Sequence, residues 1–237
     1  MMKNKLLIIF SIIILVCNAQ TGNLNKKPFP FTGNFTLNYE QKKAGSTITG
    51  SVIYAFDNFN AAIIPSFAKL MQDVVAAKLL VNTNFNEMTM LTTAKNGKKS
   101  GLLMSIPKPI IEQNNKTMKP PVVTKTGLKK VIQTLTCEKI ITMLGDSTKI
   151  EAWITNALIL NISEAVQLTN LGFKNKSPFI AVNMNALTGT SLETTITSKN
   201  GNTIKLTITD IKKIKPDAAF FNSNGYTIMD ARGLLMR

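Results

Sequence analysis

Apolar and polar residues alternate with a period of two along most of the chain beyond residue 30, the signature of β-strands with one buried face. Phe35, Leu37 and Tyr39 share one side of a first strand, with Asn34, Thr36 and Asn38 on the other. Ile48, Val52, Tyr54 and Phe56 repeat the pattern in a second, where Gly50 marks a bend or a close approach of backbone. Further strands are expected at Lys78–Val81, Glu87–Thr93, Gly101–Ile106, Val131–Met143, Thr148–Thr155, Phe179–Ala186, Thr190–Ser198 and Thr203–Ile214. Asn96-Gly97 and Asn200-Gly201 read as two-residue hairpin turns, and Gly145-Asp146 as a further turn.

The period changes once. From Pro65 to Ala77 the apolar residues Phe67, Leu70, Met71, Val74 and Val75 follow helical spacing, with Pro65 suited to a first turn, so the spacing predicts an amphipathic helix. Pro107, Pro109, Pro120 and Pro121 punctuate a polar segment of about 107–130, expected to be a long loop, and a short helix could follow Ser163. The resulting fold class is mainly β (α+β): a curled antiparallel sheet or open half-barrel of about ten strands wrapped over one amphipathic helix.

The first 19 residues read differently. Lys3 and Lys5 precede the uncharged run Leu6 to Cys17, which is too short to span a bilayer, and Ala19 offers a small residue before a cut at Gln20. Residues 1–19 are therefore expected to be a signal peptide, and residues 20–237 a single β-rich domain of the exported protein. Periplasm or outer envelope is the expected location. Val16 is bulkier than lipoprotein processing prefers, so no lipid anchor is expected at Cys17. Loss of the leader leaves 218 residues and lowers the net charge from +15 to +13.

That charge would suit anionic envelope components, yet the lysines are scattered and only Arg232 and Arg237 supply guanidinium, so no nucleic-acid partner is expected. Cys137 is the lone cysteine after Cys17 and reads as a small buried hydrophobe. The chain contains no histidine, which removes Ser-His-Asp and Cys-His nucleophile systems and the commonest zinc sites. No metal, cofactor or catalytic residue is assigned. Glu138 and Glu151 could meet across a hairpin but read as solvated strand residues. Ser66-Phe67-Ala68-Lys69 and Lys125-Thr126-Gly127 match two penicillin-recognising motifs, yet Ser198-Lys199-Asn200 follows in the wrong order and Lys125 is placed in the loop. The expectation is a protein that is not an enzyme.

Thr136-Cys137-Glu138-Lys139-Ile140, Thr148 through Thr155, and Asp217-Ala218-Ala219-Phe220 leading to Gly225-Tyr226 resemble a family of uncharacterised secreted proteins of Gram-negative bacteria, of the domain-of-unknown-function type. Those proteins are in turn similar to the LolA and LolB lipoprotein carriers. The chain departs from that pattern at Thr134-Leu135, where the family shows Gly-Tyr, and at Ser223, where it shows proline. The resemblance implies a LolA-like half-barrel enclosing apolar space that receives a lipid or lipoprotein acyl chain. Its implied pocket lining is Phe35, Leu37, Tyr39, Val52, Tyr54, Met88, Met90 and Trp153, positions that would equally form a filled core. Two functions follow: a non-enzymatic envelope protein binding a hydrophobic ligand in the half-barrel, or an envelope structural protein with a filled core and a basic surface for anionic partners.

Overall fold

Hairpins build the sheet from both ends of the chain. The computed structural model describes residues 28–66, 73–106, 122–144, 148–160 and 189–232. β1 (Gly33–Lys43), β2 (Ser46–Asp57), β3 (Asn60–Ser66), β4 (Val74–Asn82), β5 (Glu87–Ala94) and β6 (Lys99–Ser105) form one antiparallel meander. β7 (Val122–Ile132), β8 (Leu135–Leu144), β9 (Thr148–Thr155), β10 (Thr190–Ser198) and β11 (Thr203–Lys212) form a second. β1 pairs with β11, and a short strand β12 (Thr227–Asp230) runs parallel to β6. The spatial order is β12-β6-β5-β4-β3-β2-β1-β11-β10-β9-β8-β7. This twelve-stranded mixed sheet is open, with β12 and β7 at its edges.

Most expected strands occur within a few residues of their predicted limits, because alternation and hairpin turns act locally. The turns differ in detail. Gly97 donates its N–H to the Ala94 carbonyl and Ala94 donates to Lys98, with the same arrangement at Ser198, Gly201 and Asn202. These are three-residue loops whose glycine, at φ near +79°, closes a bulge, in place of the two-residue turns expected. What approaches Gly50 is a side chain and not the backbone expected: it lies opposite Tyr39, and an added Cβ would fall 2.3 Å from the phenol oxygen.

The amphipathic helix expected over Pro65–Ala77 is not found at either end of that span. Pro65 and Ser66 close β3 opposite Val52 and Ser51, and Val74–Ala77 open β4. Val75, which helical spacing puts on the buried face, is 62% exposed. β-branched residues at both ends and the available cross-strand partners override the helical period. Phe67, Leu70 and Met71 lie outside the described residues, as do the signal segment, the strand expected at Phe179–Ala186 and the helix that could follow Ser163.

The proline-rich loop also ends sooner than expected. From Val122 the chain is already β7, despite its lysines and Gly127. Its pairing slips between Lys125 and Lys129, where Thr126, Gly127 and Leu128 bulge opposite Lys139. Thr126 Oγ1 donates to the Lys139 carbonyl (2.9 Å) and accepts from Leu128 N–H (3.2 Å), holding the bulge. β7 turns into β8 through Gln133 and Thr134, both left-handed at φ +48° and +68°. A β-branched residue is strained there. We expect Thr134→Gly to raise the melting temperature by about 2–4 °C, or roughly 1 kcal/mol, in a calorimetric scan.

The tail crosses to the far edge of the sheet. Asp217 caps a 3-10 turn, Ala218–Phe220, by accepting from Ala219 N–H, and Lys78 Nζ donates to the carbonyls of Ala219 and Asn222. Tyr226 then hydrogen-bonds Thr93 (3.1 Å) beneath Lys99. Arg232 closes the segment by ion pairs to Asp230 and Glu87. Hydrogen bonds from the Arg232 side chain and backbone bring the Asp230 carboxyl down from 3.8 to about 2. Because its folded-state value is depressed, this pairing contributes fully above pH ~4 and fades as pH falls toward 2. Arg232→Ala should return the Asp230 value toward 3.8 in an NMR titration.

Candidate functional site

The implied pocket residues are largely brought together, and they pack against one another. Phe35, Leu37, Val52, Tyr54 and Met88 belong to one buried cluster, with Met90 and Trp153 packed at its margin. Tyr39 stands apart over Gly50, half-buried, and its desolvation raises its pKa. Within the cluster Phe35 stacks on Tyr54 at 5.2 Å and on Phe56 at 6.1 Å. Phe29 and Phe31, which lead into β1, fold back to within 5.0 Å of Phe56 and 6.2 Å of Phe35. Leu158, Leu160 and Ala231, also from outside the strands, complete the cluster. The chain therefore covers this apolar surface with its own segments.

Five of the implied lining residues, Phe35, Leu37, Val52, Tyr54 and Met88, are thus buried in the cluster, while Met90 and Trp153 are partly buried against it. Phe35 is fully buried against Phe31, Tyr54 and Phe56, so Phe35→Ala should lose about 3–5 kcal/mol in urea unfolding. An exposed pocket wall would lose far less.

At the other end of the sheet the two faces of β7–β10 differ. On one, Lys130 Nζ sits 4.4 Å above the Trp153 ring and 2.6 Å from Glu193 Oε2. Lys139, opposite Trp153, reaches Glu151 at 2.8 Å, and Lys149 reaches it at 3.4 Å. The Lys139 hydrogen bond is the main cause of the lowered Glu151 pKa. This face is an indole covered by satisfied ion pairs. Glu138 pairs in register with Ile154 and Glu151 with Ile141, so the two carboxylates do not form a facing pair.

The opposite face carries a half-open groove of about 520 Å³ between β7, β8 and the segment after β9. Its apolar wall includes Val123, Leu135, Ile140, Ile154 and Ala157, and Lys125, Lys129 and Glu138 line its polar part. Ile140 and Ile154 form a small buried cluster with Ala152, giving it a rigid floor. Cys137 also borders it, fully buried, its thiol donating to the Leu135 carbonyl at 3.5 Å. Burial pushes that thiol up despite the neighbouring Lys130, which disfavours the reactive thiolate. Among the described residues no cluster of three metal-ligating side chains occurs.

None of the eight residues implied by the resemblance lines this groove. It escaped the sequence pattern because β7 read as loop. The β-branched density of Val122, Val123, Thr124 and Thr126 was the available signal, masked by the bulge and the lysines, while Val131 and Ile132 were assigned to the following strand.

Neither a protein-family model nor a curated protein matches the chain. Among solved structures it is similar to a chain of the MucA/MucB complex of Pseudomonas aeruginosa, with TM-score 0.44 and 8% identity over 90% of this chain and 61% of that one. An uncharacterised conserved protein from Thermus thermophilus gives 0.41 and 6%, covering 84% of this chain and 91% of the other. PNGF-II gives 0.36 and 16% over 86% of this chain, which spans only 32% of that structure. At these TM-scores the likenesses carry no functional argument. No helix among the described residues is long and apolar enough to cross a membrane.

Proposed function

We propose that this is an exported, non-catalytic envelope protein that binds a hydrophobic ligand such as a lipid or lipoprotein acyl chain, and that the ligand lies in the groove of β7–β9. One observation carries the reading: a groove of about 520 Å³ with a wall of aliphatic side chains, within the ~300–1,000 Å³ of small-molecule sites. The resemblance of Thr136–Ile140 and Thr148–Thr155 to a family of uncharacterised secreted proteins, itself similar to the lipoprotein carriers, is in keeping with this reading, since both segments supply groove residues. The interior behind Phe35 and Tyr54 is occupied by Phe29 and Phe31, which favours the periphery over the half-barrel cavity.

Displacement of a fluorescent fatty-acid analogue tests this. Ala157 is exposed at the groove, so Ala157→Trp should fill it without disturbing the fold and weaken binding several-fold. Met90→Trp, on the interior cluster, should lower stability and leave the affinity of the folded protein unchanged. The reverse ranking would return the ligand to the interior. Binding abolished by moderate salt alone would favour the second reading, a filled core with a basic surface for anionic partners.

A further inference from the structure

Large hydrophobic side chains are exposed unevenly: Val122, Val123, Leu128 and Val131, at 73%, 38%, 57% and 68%, all stand on β7. This is an eleven-residue edge strand, and its outer side meets no strand among the described residues. The opposite edge, β12, is only four residues long, and shortness is one way in which natural sheets blunt an edge. β7 keeps its length and its apolar side chains.

Register defines what this edge presents. Cross-strand partners share a face, so Lys125 (opposite Ile140) and Lys129 (opposite Glu138) lie with Val123 and Val131 on the groove side. The bulge opposite Lys139 brings those lysines to two-residue spacing in the register of β8. On the groove face, counted against β8, the strand therefore shows valine, lysine, lysine, valine at alternate positions. β7 contains no acidic residue, and neither Lys125 nor Lys129 forms an ion pair among the described residues, Glu138 included. A second copy pairing antiparallel about Gly127 would set Lys125 of each copy against Lys129 of the other, and like charges directly opposite are destabilising.

We infer that the free edge of β7 receives an extended acidic segment of a partner protein, added as an antiparallel strand in the pattern apolar-x-acid-x-acid-x-apolar. Main-chain hydrogen bonds would supply affinity, and alternate side chains would supply specificity. The inference does not rest on the groove's occupant: Lys125 and Lys129 also line the groove, but the pairing groups are the outer backbone of β7.

The test is fluorescence polarisation of the full exported chain with a labelled Val-Thr-Glu-Thr-Glu-Thr-Val peptide and its counterpart with lysine for glutamate. The acidic peptide should bind and the basic one should not, with affinity falling as salt is raised. Replacing the central threonine of the peptide by proline should abolish binding. Lys125→Glu with Lys129→Glu should weaken the acidic peptide about tenfold and confer binding of the basic one, a gain that misfolding cannot produce. Equal binding of both peptides, no exchange of preference in the double variant, or no binding at millimolar peptide would overturn the inference. So would self-association through this edge, or capture by anionic vesicles without peptide binding. Loss of fatty-acid displacement with peptide binding intact would count against the groove reading alone.

Discussion

The pairing of β1 with β11 holds the molecule together. Each meander pairs strands that follow one another in the chain, but only this seam joins them into one sheet, with Leu37 opposite Ile208 and Tyr39 opposite Leu206. Closing it brings together residues about 170 positions apart, at an entropic cost that grows slowly with loop length but must be met at once. Burial offsets it: Phe35 is fully buried, with Leu37 and Ile208 nearly so. On the other face Asn38 Nδ2 donates to Thr209 Oγ1 at 2.9 Å. Just beyond, Asp210 takes a positive φ and the register shifts, so that Asp210 and Ile211 oppose Phe35. The bulge turns Ile211 toward the core cluster that Ile208 already enters.

Filling that core decides where a ligand could go. An open sheet of this size exposes an apolar face that must be covered, and here Phe29, Phe31, Leu158, Leu160 and Ala231 contribute to the covering. Phe29 is tied down by its N–H to the Asn58 carbonyl at 2.7 Å, so the lead-in to β1 is part of the fold. Among the described residues, aromatic rings 5–6 Å apart occupy the space beside Phe35, and an acyl chain entering there would have to displace them. Recognition is then easiest where the sheet ends.

Local chemistry made most of the sheet legible from sequence. Phe35, Leu37 and Tyr54 alternate cleanly because one face is buried, whereas the reason for Gly50, room for the Tyr39 ring, depends on a cross-strand partner the sequence pattern does not name. The errors arose where two signals coincide. Val74 and Val75 satisfy a helical spacing and also open a strand, and the choice depends on partners far away in sequence. β7 was obscured by a bulge that breaks its alternation and by lysines that keep it soluble. The groove followed β7 out of view. Segments carrying the family resemblance proved structural in part: Asp217 caps a turn, and Lys139 holds Glu151 opposite the groove face.

The two faces of β7–β10 allocate charge differently, and this separates a scaffold from a recognition surface. Behind the sheet, Lys130, Lys139 and Lys149 are matched by Glu193 and Glu151, and Trp153 lies beneath the first of them. That arrangement satisfies itself and leaves little to offer a partner. In front, Lys125 and Lys129 stand beside exposed valines at a strand whose outer side is free among the described residues. Cations left unmatched at an edge oppose pairing with an identical edge and favour an acidic one, so the same residues limit self-assembly and select a partner. A strongly basic chain can carry this device at two positions while the rest of its charge remains dispersed.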